Sequence, residues 1–185
     1  RPGDFKYKDL NGDGVVDAED IAPIGYAPVP EYTFGAAFNV TYKNFDLSVL
    51  FQGVTNVTAY YGGAGTFAAT YYVKRHLESW TQERADAGLP VNYPRLTTEG
   101  SPNEIGNSFF IIDGSYMRLK NVEIGYRLPA SWAKKVGAKG ARIYANGFNL
   151  LTWDRLPTKD IDPEITNETS YPIIKTINFG LNVTF

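Results

Sequence analysis

Ile173-Ile174-Lys175-Thr176-Ile177-Asn178-Phe179-Gly180-Leu181-Asn182-Val183-Thr184-Phe185 is the stretch that decides the fold. From Ile177 onward every odd position is apolar and every even position is small or polar. A period of two belongs to a strand with one apolar face and one wet face. A soluble sandwich has a use for such a strand, but its chain rarely has reason to stop there on an aromatic. The closing strand of a membrane-crossing barrel does, with its apolar residues turned to lipid.

Working outward, the same pattern recurs. Tyr32, Phe34, Ala36, Phe38, Val40 and Tyr42 share one face, and Thr33, Gly35, Ala37, Asn39 and Thr41 share the other. About eleven residues is the length a tilted strand needs to cross a bilayer. Lys43-Asn44 makes a minimal turn, with Asn the residue tolerant of positive φ. Phe45, Leu47, Val49 and Phe51 continue the alternation. Residues 57–107 read as a long irregular stretch, with a helix predicted from Thr70 to Ala87 and ended by Gly88. A long strand is expected near Ser108 to Tyr126. Leu128-Pro129 opens a connector with a short helix from Ser131 to Val136. A fourth strand covers Ala141 to Trp153, a polar loop 154–171, and a final strand ends at Phe185. Barrels of this kind have short periplasmic turns and long external loops. Counting back from Phe185 puts 154–171 and 57–107 outside, and 128–140 and Lys43-Asn44 inside.

The expected fold class is therefore all-β. Five strands cannot close a barrel, and an open edge is not viable in lipid. The chain is expected to be the C-terminal portion of a larger barrel. Residues 1–30 form an extracellular loop and residues 31–185 the barrel part.

Composition narrows the function classes. Aromatics make up 15% of the 185 residues, with 13 Tyr and 11 Phe, a bias shared by strand surfaces and interfacial girdles. There is no cysteine, so no disulfide or thiolate chemistry. A net charge of −2 argues against a nucleic-acid partner. No run of about 18 apolar residues exists, which leaves barrel strands open because they alternate. No signal peptide is visible at Arg1, so export implies one that was removed or lies upstream.

One motif carries chemistry. Asp9-Leu10-Asn11-Gly12-Asp13-Gly14-Val15-Val16-Asp17-Ala18-Glu19-Asp20 has the spacing of a calcium loop. Asp9, Asn11 and Asp13 fall at positions 1, 3 and 5, Gly14 at the sharp turn, the Val15 carbonyl at 7, Asp17 at 9 and Asp20 at 12. Calcium wants several hard oxygens, and this spacing folds them round one centre. Position 12 is Asp, a shorter reach that resembles dockerin loops. No helix is expected before the loop, and Pro23 stops any after it. An acidic surface turn with Asx bonds is the plainer reading, but Asp9, Asp13, Asp17 and Asp20 would repel one another without a cation.

Other candidates have plainer readings. His76 is the only histidine and is expected to be solvated or packed in a loop. Asp160, Asp162 and Glu164 beside Pro163 read as turn-formers rather than a glycosidase pair. Asn39, Asn56, Asn167 and Asn182 begin Asn-x-Thr sequons, of which two lie inside predicted strands. Trp132 and Trp153 lie near strand ends, where interfacial belts form. Trp80 with Tyr60, Tyr61, Tyr71 and Tyr72 falls in the external loop and is divided between loop packing and substrate contact.

Several blocks occur in a telling order. They are Gly3-Asp4-Phe5-Lys6-Tyr7-Lys8-Asp9-Leu10-Asn11-Gly12-Asp13-Gly14, then Tyr42-Lys43-Asn44-Phe45-Asp46-Leu47-Ser48, Phe51-Gln52-Gly53 and Tyr93-Pro94-Arg95-Leu96. Next come Asp113-Gly114-Ser115-Tyr116-Met117-Arg118-Leu119-Lys120-Asn121-Val122, Gly125-Tyr126, Leu128-Pro129 and Asn149-Leu150-Leu151-Thr152-Trp153. Over nearly all 185 residues this resembles the C-terminal end of the SusC/RagA family of TonB-linked outer-membrane proteins. The resemblance implies a 22-stranded barrel in the bacterial outer membrane with an N-terminal plug. It implies import of an oligosaccharide or peptide substrate, a SusD-type surface lipoprotein as lid, and TonB contacts through parts absent from this chain. It implies a transporter and not an enzyme. The terminal Phe with alternating apolar residues also resembles the signal read by the outer-membrane barrel assembly machinery. The competing class is a soluble, calcium-stabilised β-sandwich that binds carbohydrate or mediates adhesion, with a dry core and polar outer faces.

Overall fold

Alternation becomes strand wherever β-branched and aromatic residues dominate it. The computed structural model describes residues 1–62, 72–98, 100–135, 137–159, 161–165 and 170–185. Among these the strands are β1 (Tyr32–Tyr42), β2 (Phe45–Thr55), β3 (Thr58–Tyr60), β4 (Ile111–Asp113), β5 (Tyr116–Arg127), β6 (Gly140–Asp154) and β7 (Thr176–Thr184). Two short helices occur, α1 (Gln82–Asp86) and α2 (Ala130–Lys135). Among the described residues no helix is long and apolar enough to cross a membrane. The chain falls into two compact units, one of residues 29–57, 114–155 and 171–185, the other of residues 1–28, 58–113 and 156–170.

The first unit is a five-stranded antiparallel sheet in the order β1-β2-β5-β6-β7. Its register sorts side chains by face. One row of partners runs Val40, Leu47, Ile124, Ala145, Phe179, and the next runs Tyr42, Phe45, Tyr126, Ile143, Leu181. Every member of both rows is apolar or aromatic. Phe38, Val40, Phe179 and Leu181 on this face are 58, 58, 83 and 60% exposed. Within this unit no second sheet covers the face, which is the reverse of a sandwich. A contiguous exposed apolar face of this extent marks a membrane or partner surface.

The opposite face is polar and cross-linked. One row runs Asn39, Ser48, Glu123, Asn146, Asn178. Ser48 Oγ donates to Asn39 Oδ1 at 2.6 Å, and Asn178 Nδ2 donates to Asn146 Oδ1 at 3.0 Å. Arg142 on β6 reaches across β5 to Asp46 on β2, donating from both Nε and Nη2, and gives Nη2 to Glu123 Oε1 at 2.7 Å. The crossing needs Gly125, because a Cβ there would collide with the Arg142 guanidinium.

Sequence expectation and structure differ at four places. The expected strand from Ser108 to Tyr126 is broken: Ser108–Phe110 is a 3₁₀ turn, Ile111–Asp113 pairs with β3, and β5 starts only at Tyr116. The predicted helix from Thr70 to Ala87 lies partly outside the described residues. Its described part divides into a 3₁₀ turn, Lys74–Glu78, and α1. The backbone N–H of Trp80 is taken by the Tyr93 carbonyl, and Thr81 caps α1 through Arg84 N–H, so the ladder stops between them. Gly88 does end α1, at φ +63°. In the β1–β2 turn the positive φ, 53°, falls on Lys43 and not on Asn44. Finally, the β5 ladder shifts register between Leu119 and Asn121, opposite Asn149 at φ 54°. Against β2, Lys120 is the extra residue, a bulge that moves the apolar set of β5 from odd positions, Met117 and Leu119, to even ones, Val122, Ile124 and Tyr126.

The second unit pairs β3 with β4 and joins them through α1, short 3₁₀ turns and loops. Its small core is Ala59, Tyr61 and Leu156, with Ile112 and Ile161 against it.

Candidate functional site

The acidic motif sits in residues 1–31, which form neither helix nor strand. Gly12 and Gly14 adopt φ +82° and +87°, a conformation open to glycine. These turns bring both amides onto Asp9, which accepts from Gly12 N–H at 2.6 Å and from Gly14 N–H at 2.8 Å. Asn11 Oδ1 accepts from Asp13 N–H, Asp13 Oδ1 from Val15 N–H, and Asp17 Oδ1 from Glu19 N–H, at 2.8–2.9 Å. Asp20 closes the ring: it accepts from Leu10 N–H at 2.6 Å, Asn11 N–H at 3.3 Å and Asp17 N–H at 2.9 Å. The N–H donors, that of Asp17 first, hold the Asp20 carboxyl below its ordinary value. The motif thus forms the closed loop its spacing requires, with five side chains, Asp9, Asn11, Asp13, Asp17 and Asp20, accepting amides. Among the described residues no three acidic or histidine side chains converge as a ligand set.

The loop-borne aromatics divide by exposure. Tyr61 is 1% exposed and forms the core of its unit, its hydroxyl donating to the Ile165 carbonyl at 3.4 Å. Its ring has no open face for a substrate. Trp80 is half-buried, and its indole lies so close over Gly3 that a Cβ there would come within 2.5 Å of it. Tyr72 is exposed and stands edge-on to His76. Tyr71 lies outside the described residues. Tyr60 is half exposed, its hydroxyl pushed above its ordinary value by burial. It borders a groove of about 530 Å³ together with Phe5, Tyr7, Ile21, Ile24 and Phe109. Asp20 lines the same groove.

His76 is buried between Tyr72 and Tyr93, and its Nδ1 accepts the Val73 N–H at 2.9 Å. This is a packing role. Asp162 caps a turn through Glu164 N–H at 2.9 Å, and Asp160 lies outside the described residues. Trp153 and Trp132 are both exposed, the first at the end of β6 and the second in α2.

Sequence reasoning missed one cluster. Asp4, whose side chain is 6% exposed, is gripped by Arg95 through Nε at 3.2 Å and Nη2 at 3.3 Å, and by Asn103 Nδ2 at 3.0 Å. Asn103 Oδ1 in turn accepts the Phe5 N–H at 2.8 Å. Phe5 packs on Phe109 and Phe110, which pack on Tyr93. The signal was present in the alternation Phe5-x-Tyr7 and the pair Phe109-Phe110, but the partners lie about a hundred positions apart.

No family model matches the chain. Among curated proteins it is 34% identical to TonB-dependent receptor P26 of Formosa agariphila, over 99% of this chain and 20% of that protein. It is 31% identical to TonB-dependent receptor P3 of the same organism, over 100% of this chain and 19% of that protein. The chain thus spans about a fifth of the length of the curated relatives it matches. Among solved structures, one described as the RagAB peptide transporter superposes with a TM-score of 0.65 at 22% identity, over 94% of this chain and 20% of that one. Another, the RagAB peptide importer in its closed-closed state, gives 0.62 at 24% identity, over 94% and 20%. At this identity the structural likeness speaks to fold alone.

Proposed function

This chain is a relative of the TonB-dependent receptors, and on that premise we propose that it is a wall segment of a TonB-dependent transporter in the bacterial outer membrane. The observation that carries the reading is the uncovered apolar face spanning all five strands, backed by a polar face bound together by Arg142. In lipid the apolar face needs no partner, and the polar face lines a lumen. The two free edges, β1 and β7, pair with strands of the longer protein, as a membrane setting demands.

In this reading the loops lie outside the cell, where they meet the cargo and a SusD-type lipoprotein. The solved neighbours, described as peptide transporters, support a peptide cargo, and the SusC/RagA resemblance adds an oligosaccharide as the other class. The groove beside Tyr60 offers such a cargo both apolar rings and polar groups, among them Lys6, Lys8, Asp20 and Asn107. We also propose that the loop of residues 9–20 takes Ca²⁺, through the side chains of Asp9, Asn11, Asp13, Asp17 and Asp20 and the Val15 carbonyl. Support comes from the spacing and the Gly12 and Gly14 turns. The cation would draw in carboxylates that now face amides. It would supply fixed charge and rigidity, and calorimetry on the full-length protein is its test.

Topology tests the main reading. In the full-length receptor on intact cells, Asn92→Cys should react with a membrane-impermeant thiol reagent and Asn44→Cys should not. Labelling at Asn44 alone would invert the orientation. Equal labelling in a soluble fraction would end the membrane reading.

A further inference from the structure

We propose that a groove on the apolar face of the five-stranded sheet seats one acyl chain of an anionic glycerophospholipid, with lysines at the adjacent sheet end meeting its phosphate. The inference rests on the barrel reading above and adds a specific ligand to it.

The groove encloses about 580 Å³, within the range of specific ligand sites. Its cause is a size mismatch in the register. Ala145 on β6 stands between Ile124 on β5 and Phe179 on β7, so the middle of that row is short while its flanks are tall. The next row toward the sheet end, Tyr126, Ile143 and Leu181, forms the rim. Phe45 packs against Tyr126 with ring centroids 4.6 Å apart and makes one side wall stiff. The trough stops at Gly147, over which the Leu150 side chain is folded. Annular lipid wets any such face, but a walled trough holds one chain in place.

The charge at this end of the sheet selects the headgroup. The β5–β6 connector, residues 128–140, carries Lys134, Lys135 and Lys139 and no acidic residue. The β1–β2 turn adds Lys43, whose Nζ lies 5.3 Å from the Tyr42 ring centroid. Lys139 gives its Nζ to the Phe185 oxygen at 3.0 Å, and the Asp46 and Glu123 carboxylates hold Arg142 on the polar face, so the collar rests on Lys134 and Lys135. Lys134 and Lys135 are exposed, and Trp132 beside them is 62% exposed, the position of an interfacial anchor. A cationic collar at one end of an apolar trough fits a molecule with one anionic head and a long chain. A neutral lipid would satisfy only the trough, and a soluble anion only the collar.

The test uses the full-length receptor extracted in mild detergent and analysed by native mass spectrometry. Dioleoylphosphatidylglycerol or dioleoylphosphatidylethanolamine is added as probe. Ala145→Phe fills the trough, and Ala36→Phe adds the same bulk to the same face outside it. The wild type and Ala36→Phe should retain one phosphatidylglycerol, and Ala145→Phe should retain on the order of tenfold less. The pair Lys134→Gln and Lys135→Gln should lower phosphatidylglycerol retention about tenfold and leave phosphatidylethanolamine unchanged. Heat-modifiable mobility certifies that each variant is folded, and if Ala145→Phe fails that check the lysine pair decides alone. Equal retention in Ala145→Phe and Ala36→Phe, or no preference of the wild type for phosphatidylglycerol, would overturn the site. A protein that stays dispersed without detergent would instead overturn the barrel reading.

Discussion

Phe38→Arg and Leu181→Arg should each destabilise the assembled protein by about 2–4 kcal/mol if their positions lie near the bilayer midplane. Both residues project from the apolar face, at 58 and 60% exposure. That exposure makes the result discriminating. In a protein surrounded by water, replacing a side chain this exposed is worth within about 0.5 kcal/mol either way. In lipid the same change places a guanidinium in hydrocarbon. Asn39→Arg is the matched control, since Asn39 neighbours Phe38 in β1 but belongs to the polar face with Ser48. The measurement is the fraction of full-length receptor in the outer membrane that keeps heat-modifiable mobility. The two apolar-face variants should lose it and Asn39→Arg should keep it. Equal tolerance of all three would mean the face is not in lipid.

Calcium at saturation should stabilise the loop unit substantially, and Asp13→Ala should abolish the effect. A ligand present at a hundred times its dissociation constant adds about 2.7 kcal/mol to the state that binds it. Asp13 is the informative position. Its Oδ1 accepts only the Val15 amide and its Oδ2 accepts Asn11 Nδ2 at 3.2 Å, so its removal breaks little of the closed loop. Asp20 is a poorer choice, because it ties Leu10, Asn11 and Asp17 together and its loss would open the ring with or without a cation. Isothermal calorimetry on the full-length receptor should show calcium heat in the wild type and none in Asp13→Ala. Identical heats would assign the binding to other residues.

The sheet was legible because its signal is local. The alternation from Tyr32 to Tyr42 is β1 residue for residue, and the apolar positions of Ile177 to Val183 share the face of Phe38 and Val40 through the register. The acidic loop was legible for the same reason, since its turns depend on glycines inside a twelve-residue motif. What failed depended on distant partners. The strand expected from Ser108 broke because Ile111–Asp113 finds β3 and not the large sheet. The helix expected up to Ala87 broke because Tyr93 takes the Trp80 amide. The bulge at Lys120 hid the apolar face of β5, whose alternation changes phase there. Among the aromatics, composition gave Tyr60 and Tyr61 equal standing, yet packing on Ala59 and Leu156 sends one inward and leaves the other at a groove. Likewise nothing near Asp4 in the sequence announces Arg95 or Asn103.

The central claim is that one face of this sheet meets lipid and the other water. A nitroxide carried in turn on each position from Thr33 to Thr41 of the full-length receptor in bilayers reads that directly. Collision with oxygen, which partitions into lipid, should peak at positions 34, 36, 38 and 40, while collision with a water-soluble nickel chelate should peak at 33, 35, 37, 39 and 41. Accessibility without a period of two, or with the two reagents in the opposite phase, would contradict the account.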